Sequence, residues 1–112
     1  YFGNYENSLA YFEKLDKKLL NIRELYYMNV AYRVKKNYNN AEMCLEEIIR
    51  RDPLNKLAVF DLALLNYENM SKYDHAENYF NKFLKIEKLT ETEKNNAKDF
   101  LKKIVVKKRE TK

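Results

Sequence analysis

Side chains able to do chemistry are few in this sequence, and they do not cluster. The single histidine, His75, has neither a second histidine nor a thiol at metal-ligand spacing. The single cysteine, Cys44, has no adjacent base to activate it as a nucleophile, and one glycine in the whole chain leaves no glycine-rich phosphate loop. Carboxylate pairs such as Glu46-Glu47 sit in helical patterns, where water keeps both groups ionised and nothing raises a pKa. The expectation is a protein without catalytic residues, cofactor or metal, and not an enzyme. His75 then reads as a surface histidine and Cys44 as a small buried hydrophobe.

The densest chemical feature is cationic. Lys102, Lys103, Lys107, Lys108, Arg109 and Lys112 surround Ile104-Val105-Val106 near the end. Such a cluster could attract RNA phosphates or an acidic membrane surface, where each cation contributes about 1 kcal/mol. It is short and interrupted, and cations also favour a helix C-terminus. A solvated helix end is therefore expected, and nucleic acid is not the expected partner.

These residues need elements to carry them, and composition points to helices. One Gly and one Pro in 112 residues disfavour turn-rich β architecture, and the length suits one domain. The 22 basic and 17 acidic residues, net charge +5, are mostly interspersed, as on solvated helix faces. One cysteine cannot form an internal disulfide, so a reducing, cytoplasmic setting is expected. No run of eighteen apolar residues spans a membrane, and no signal peptide is visible.

An internal repeat organises the chain. Leu25, Met28, Tyr32, Tyr38, Ala41, Leu45 and Ile48 return as Phe60, Ala63, Tyr67, Tyr73, Ala76, Phe80 and Phe83, each 35 residues later. The first copy reads as a helix near Ile22–Lys36, a turn at Lys35-Lys36-Asn37, a returning helix Tyr38–Arg51, and a stop at Asp52-Pro53. The second reads as helices over Asn55–Asn69 and Tyr73–Glu87, with the turn at Met70-Ser71-Lys72. Aligning Asn4-Tyr5 with Asn37-Tyr38 makes the opening residues the second half of another repeat, with Gly3 at its turn and Asn4 as N-cap, so upstream sequence is expected. Finally, Thr90 and Glu93 have capping-box spacing, and Ala97, Phe100, Leu101, Ile104 and Val105 form the apolar stripe of a closing helix.

The pattern resembles the tetratricopeptide repeat (TPR), a helix-turn-helix family, over residues 1 to about 88. Tyr32, Ala41 and Pro53 in one unit, and Tyr67, Ala76 and Phe80 in the next, match signature residues. Departures include Asn29 and Leu64 at a position that prefers a small residue, Lys36 and Ser71 in place of a turn glycine, Phe83 for Ala and Lys88 for proline. The resemblance implies an all-α, right-handed superhelix of antiparallel helix-turn-helix repeats with a C-terminal capping helix. The expected organisation is a single domain, residues 1–112. It comprises a truncated repeat (1–20), two repeats (21–54 and 55–88), then the capping helix and basic tail (89–112).

The same resemblance implies a non-catalytic scaffold whose first helices line a concave groove for a partner's peptide segment or helix. Carried over by position, the groove presents Arg23, Tyr26, Val30, Arg33 and Val34, then Ala58, Asp61, Leu65, Glu68 and Asn69. Arg23 and Arg33 suit a carboxylate, whereas Asp61 and Glu68 favour a basic segment. Tyr26, Val30 and Leu62 stand where one subgroup carries a clamp for chaperone C-termini, so that ligand is not expected. The alternative is a structural spacer or oligomerisation module with the groove unused, self-association then running through the exposed end helices.

Overall fold

The computed structural model describes residues 9–11 and 13–110, and every regular element among them is helical. The turn and cap expected at Gly3 and Asn4 lie outside the described residues, as do Ser8 and Phe12, which the same alignment sets over Ala41 and Leu45. The chain divides at Asp52–Pro53 into two compact units, at the proline expected to close a repeat.

In the first unit, residues 9–11 and 13 are helical, and a single 3-10 turn, Lys17–Leu19, leads to helix α1, Ile22–Val34. Asn21 caps α1 in a full capping box. Its Oδ1 accepts from the Glu24 N–H at 2.7 Å, and Glu24 Oε1 accepts from the Asn21 N–H at 2.9 Å, satisfying amides the helix cannot pair internally. α1 ends in a Schellman turn: the Asn37 N–H reaches the Tyr32 carbonyl at 2.8 Å and the Lys36 N–H the Arg33 carbonyl at 3.0 Å. Lys36 adopts the left-handed conformation this turn requires, φ 61°, although it is not glycine.

Helix α2, Tyr38–Arg51, returns along α1, buries Ala41, Cys44, Leu45 and Ile48, and stops at Asp52. Ala41 has no exposed surface, as close helix approach demands. The end of α2 is tied back to the segment before α1, since Arg51 Nη1 donates to the Leu20 carbonyl and Leu20 is itself buried.

In the second unit, α3 (Lys56–Glu68) pairs with α4 (Tyr73–Leu84), and α5 (Glu91–Glu110) packs on α4. Asn55 caps α3 through the Ala58 N–H at 3.0 Å. Ser71, φ 52°, takes the left-handed place in the α3–α4 turn. α4 ends at Leu84, three residues before the expected Glu87. The chain then turns through Lys88, φ 63°, which drives Leu89 into the interior and starts α5. The expected Thr90–Glu93 capping box is present, with bonds of 2.8 and 3.0 Å.

An aromatic cluster holds the second unit together. Phe60 of α3 meets Phe80, Phe83 and Phe100 edge-on at centroid distances of 5.5, 5.0 and 6.1 Å. Tyr67 meets Tyr73 at 5.9 Å and Phe100 at 5.6 Å. Such edge-to-face pairs add about 0.5–1.5 kcal/mol each beyond buried area. Lys108 of α5 reaches Asp74 at 2.7 Å and Glu77 at 3.3 Å on α4, so part of the basic tail closes the helix onto its neighbour.

The burial pattern corrects the repeat register in the first helices. α1 buries Leu25, Met28, Asn29, Ala31 and Tyr32, and adding 34 gives Val59, Leu62, Ala63, Leu65 and Asn66, all buried. Adding 35 gives Phe60, Ala63, Leu64, Asn66 and Tyr67, of which only Ala63 and Asn66 are buried and the other three half-buried. In the second helices 35 is right: Ala41, Leu45 and Ile48 map onto buried Ala76, Phe80 and Phe83. The additional residue therefore lies in the turn, Lys35–Asn37 in one hairpin and Asn69–Lys72 in the other.

Candidate partner-binding faces of α1 and α3

A helix packed against its hairpin mate along one side leaves its other side to neighbours, partners or water. On α1, Arg23 and Val34 are exposed and Tyr26, Val30 and Arg33 half-buried. These residues share a face opposite Leu25, Met28 and Tyr32 at 100° per residue, so the first unit brings the expected α1 set together. The sidedness is firm because Tyr32 is pinned inward. Its hydroxyl donates to Glu13 Oε2 at 2.6 Å, and burial first, then this carboxylate, hold the phenol well above its ordinary pKa.

On α3 the expected set divides. Asp61 is half-buried, and Glu68 and Asn69 are exposed. Leu65 and Ala58 are fully buried, which removes both from a solvent-facing surface. The physical reason is the one-residue turn insertion: with the first-helix offset at 34, Arg23, Tyr26, Val30, Arg33 and Val34 correspond to Leu57, Phe60, Leu64, Tyr67 and Glu68. Exposure agrees at each position, Leu57 and Glu68 being exposed and the other three half-buried. Leu57, Phe60, Leu64 and Tyr67 were not among the expected residues, and of these Phe60 and Tyr67 pack against Phe100 of α5. The paired N-caps Asn21 and Asn55, 34 apart, carried the signal that would have found them.

Two buried asparagines lie on the inner faces. Asn29 Nδ2 donates to the Tyr26 carbonyl at 3.4 Å and Asn66 Nδ2 to the Leu62 carbonyl at 2.8 Å, while neither Oδ1 has a hydrogen-bond partner. Their amides bond back to the helix, a local arrangement rather than a contact between elements.

A family model described as the tetratricopeptide repeat matches residues 59–88, from within α3 to the turn after α4. Residues 59–88 are thus similar to a tetratricopeptide repeat. The TPR positions Ala76 and Phe80 are buried in α4 as expected, and Ala63, not Leu64, occupies the small-residue position of the first helix. No curated protein matches the chain. TPR units are generally non-catalytic, so the match marks a protein-interaction module with protein partners.

Cys44 is buried and His75 exposed. No helix among the described residues is long and apolar enough to cross a membrane. Glu47 is engaged by two cations: Arg50 donates through Nε and Nη2 at 3.0 and 2.5 Å, and Arg51 through Nε at 2.7 Å. The Arg50 hydrogen bonds, then that from Arg51, bring the Glu47 carboxyl down to about 2.

Proposed function

We propose that this chain is a non-catalytic interaction module in which the first helix of each unit offers an open face to a peptide segment or helix of a partner protein. The faces are Arg23, Tyr26, Val30, Arg33 and Val34 on α1, and Leu57, Asp61, Leu64, Glu68 and Asn69 on α3. The observation that carries this reading is the repeat match at residues 59–88 together with an α1 face that keeps Tyr26 and two arginines partly solvent-accessible. Aromatic and guanidinium groups are the types most often found as interface hot spots. Arg23 and Arg33, about 15 Å apart along α1, suit carboxylates by charge-assisted hydrogen bonds.

The test is affinity capture from the source cell with the chain and its Tyr26→Ala, Arg33→Glu variant. Circular dichroism must first show both folded, with melting temperatures within a few degrees. Specific loss of a retained protein by the folded variant supports the reading. An unchanged set of partners overturns it in favour of a structural spacer whose contacts run through the end helices.

A further inference from the structure

Seven cations lie on α5, and the fold engages four of them. Lys108 pairs with α4, Lys94 lies 3.7 Å from Glu91, Lys107 lies 3.9 Å from Glu110, and Lys103 stands over the Phe100 ring. Lys98, Lys102 and Arg109 are exposed and have no ion-pair partner among the described residues. These three fall on one line. At 100° per residue Lys98, Lys102, Val105 and Arg109 occupy an arc of about 60°, turned away from buried Ala97 and Ile104. The row is about 17 Å long at 1.5 Å per residue. Val105 is 43% exposed within it, and Val106, 52% exposed, lies beside it. A separate pocket of about 200 Å³, lined in part by Leu57, Phe60 and Phe83, meets α5 at Glu93 and Asn96, about 150° round from the row.

We propose that this row holds an acidic helix of a partner protein, its carboxylates on Lys98, Lys102 and Arg109 and an aliphatic side chain on Val105. The surface is distinct from the faces of α1 and α3 and gives the module a second contact. Spacing selects a helix. Lys98, Lys102, Val105 and Arg109 follow intervals of 4, 3 and 4 residues, the intervals that line up side chains along one side of a partner helix, so two helices lying side by side meet at all four positions. Charge selects the acidic residues, because the three cations are the ones that no carboxylate of the protein already satisfies. The neighbouring charges decide against a polyanion. Glu91 continues the same line at the N-terminal end and Asp99 stands in the adjacent row, so a continuous phosphate backbone would run onto carboxylates, whereas a protein helix carries its acids only where the cations are. An acidic bilayer fits poorly for another reason. Interfacial helices bury a broad apolar face in the lipid, and α5 packs its apolar stripe on α4, leaving only two valines as large apolar side chains exposed.

The probe is acetyl-Ala-Glu-Ala-Ala-Ala-Glu-Ala-Ala-Leu-Ala-Ala-Ala-Glu-Ala-amide, titrated into the ¹⁵N-labelled chain, with two control peptides that carry glutamine for every glutamate or serine for the leucine. Support consists of saturable shifts centred on Lys98, Lys102, Val105 and Arg109, with affinity at least tenfold weaker for the glutamine peptide and about threefold weaker for the serine peptide. Lys98→Glu with Lys102→Glu should weaken binding at least tenfold. Lys82→Glu with Lys85→Glu makes the same change of net charge on α4 and should weaken it less than threefold. Circular dichroism checks that both variants fold, and Lys98→Gln with Lys102→Gln, expected to lose about fivefold, replaces the charge reversal if that variant does not. Binding should persist in the Tyr26→Ala, Arg33→Glu variant; its loss there would move the acidic helix to α1 and overturn the proposal. Equal loss in the α4 variant, which reports net charge alone, or equal affinity for the glutamine or serine peptide would also overturn it. Tighter binding of a ten-nucleotide oligouridylate or of phosphatidylserine vesicles than of the peptide would overturn it in favour of a phosphate surface.

Discussion

The rings of Phe80 on α4 and Phe100 on α5 lie parallel, 4° between planes and 5.2 Å between centroids. That stack joins the closing helix to the repeat, and Phe100 also takes the edges of Phe60 and Tyr67. Lys103 Nζ stands 4.9 Å from the Phe100 centroid on the same helix.

Phe100→Ala removes every one of those ring contacts. Complete Phe→Ala truncation in a core costs about 3–5 kcal/mol, and because Phe100 is only half-buried a loss of about 2–3 kcal/mol is expected in urea unfolding. Lys103→Ala removes a surface cation over the ring and should cost under about 1 kcal/mol. Equal effects would show that α5 is held by charge rather than by the aromatic cluster.

Lys36 and Ser71 occupy left-handed turn positions, φ 61° and 52°. A side chain there costs about 1–2 kcal/mol, part of which glycine returns as unfolded-chain entropy. Lys36→Gly and Ser71→Gly are each expected to stabilise by about 0.5–1 kcal/mol, seen as a raised thermal midpoint. Val30→Gly, in mid-helix, should lower it by about 1 kcal/mol.

Ala41 and Ala76 have no exposed surface in their respective hairpins. Ala41→Leu and Ala76→Leu should each destabilise by about 1–3 kcal/mol through overpacking. A neutral result in calorimetry would mean that the helix pairs separate more easily than their packing implies.

Glu47 supplies a pH dependence with a defined sign. Its folded pKa, about 2, lies below the ordinary 4.5, so the stability it contributes is complete above about 4.5 and is lost as pH falls towards 2. Glu47→Gln should therefore lower the melting temperature at pH 7, and the gap should largely close towards pH 2, where about half of the folded Glu47 has been protonated. A gap that persists undiminished at pH 2 would assign the effect to packing instead of charge.

The legible part of this protein was local. Hairpin order, the α2 boundaries Tyr38–Arg51, the turns at Lys36 and Ser71 and the Thr90–Glu93 cap follow from helical periodicity, capping residues and proline, all of which act within a few residues. The same local signals could not place a one-residue insertion. Tyr32 and Tyr67 share a residue type 35 apart, so identity favoured a register that packing rejects: Tyr32 points into the first unit's interior, while Tyr67 lies half-buried against Phe100.

By itself the sequence determined that this chain forms helical hairpins, because the spacing of apolar residues dictates which helix side must leave water. Only the tertiary structure decided which residues α3 leaves open. A change of one residue rotates a helical position by about 100°, enough to bury Leu65 and expose Leu57. The pocket between Leu57, Phe60, Phe83 and Asn96 was likewise beyond the sequence, since it exists only where three helices meet.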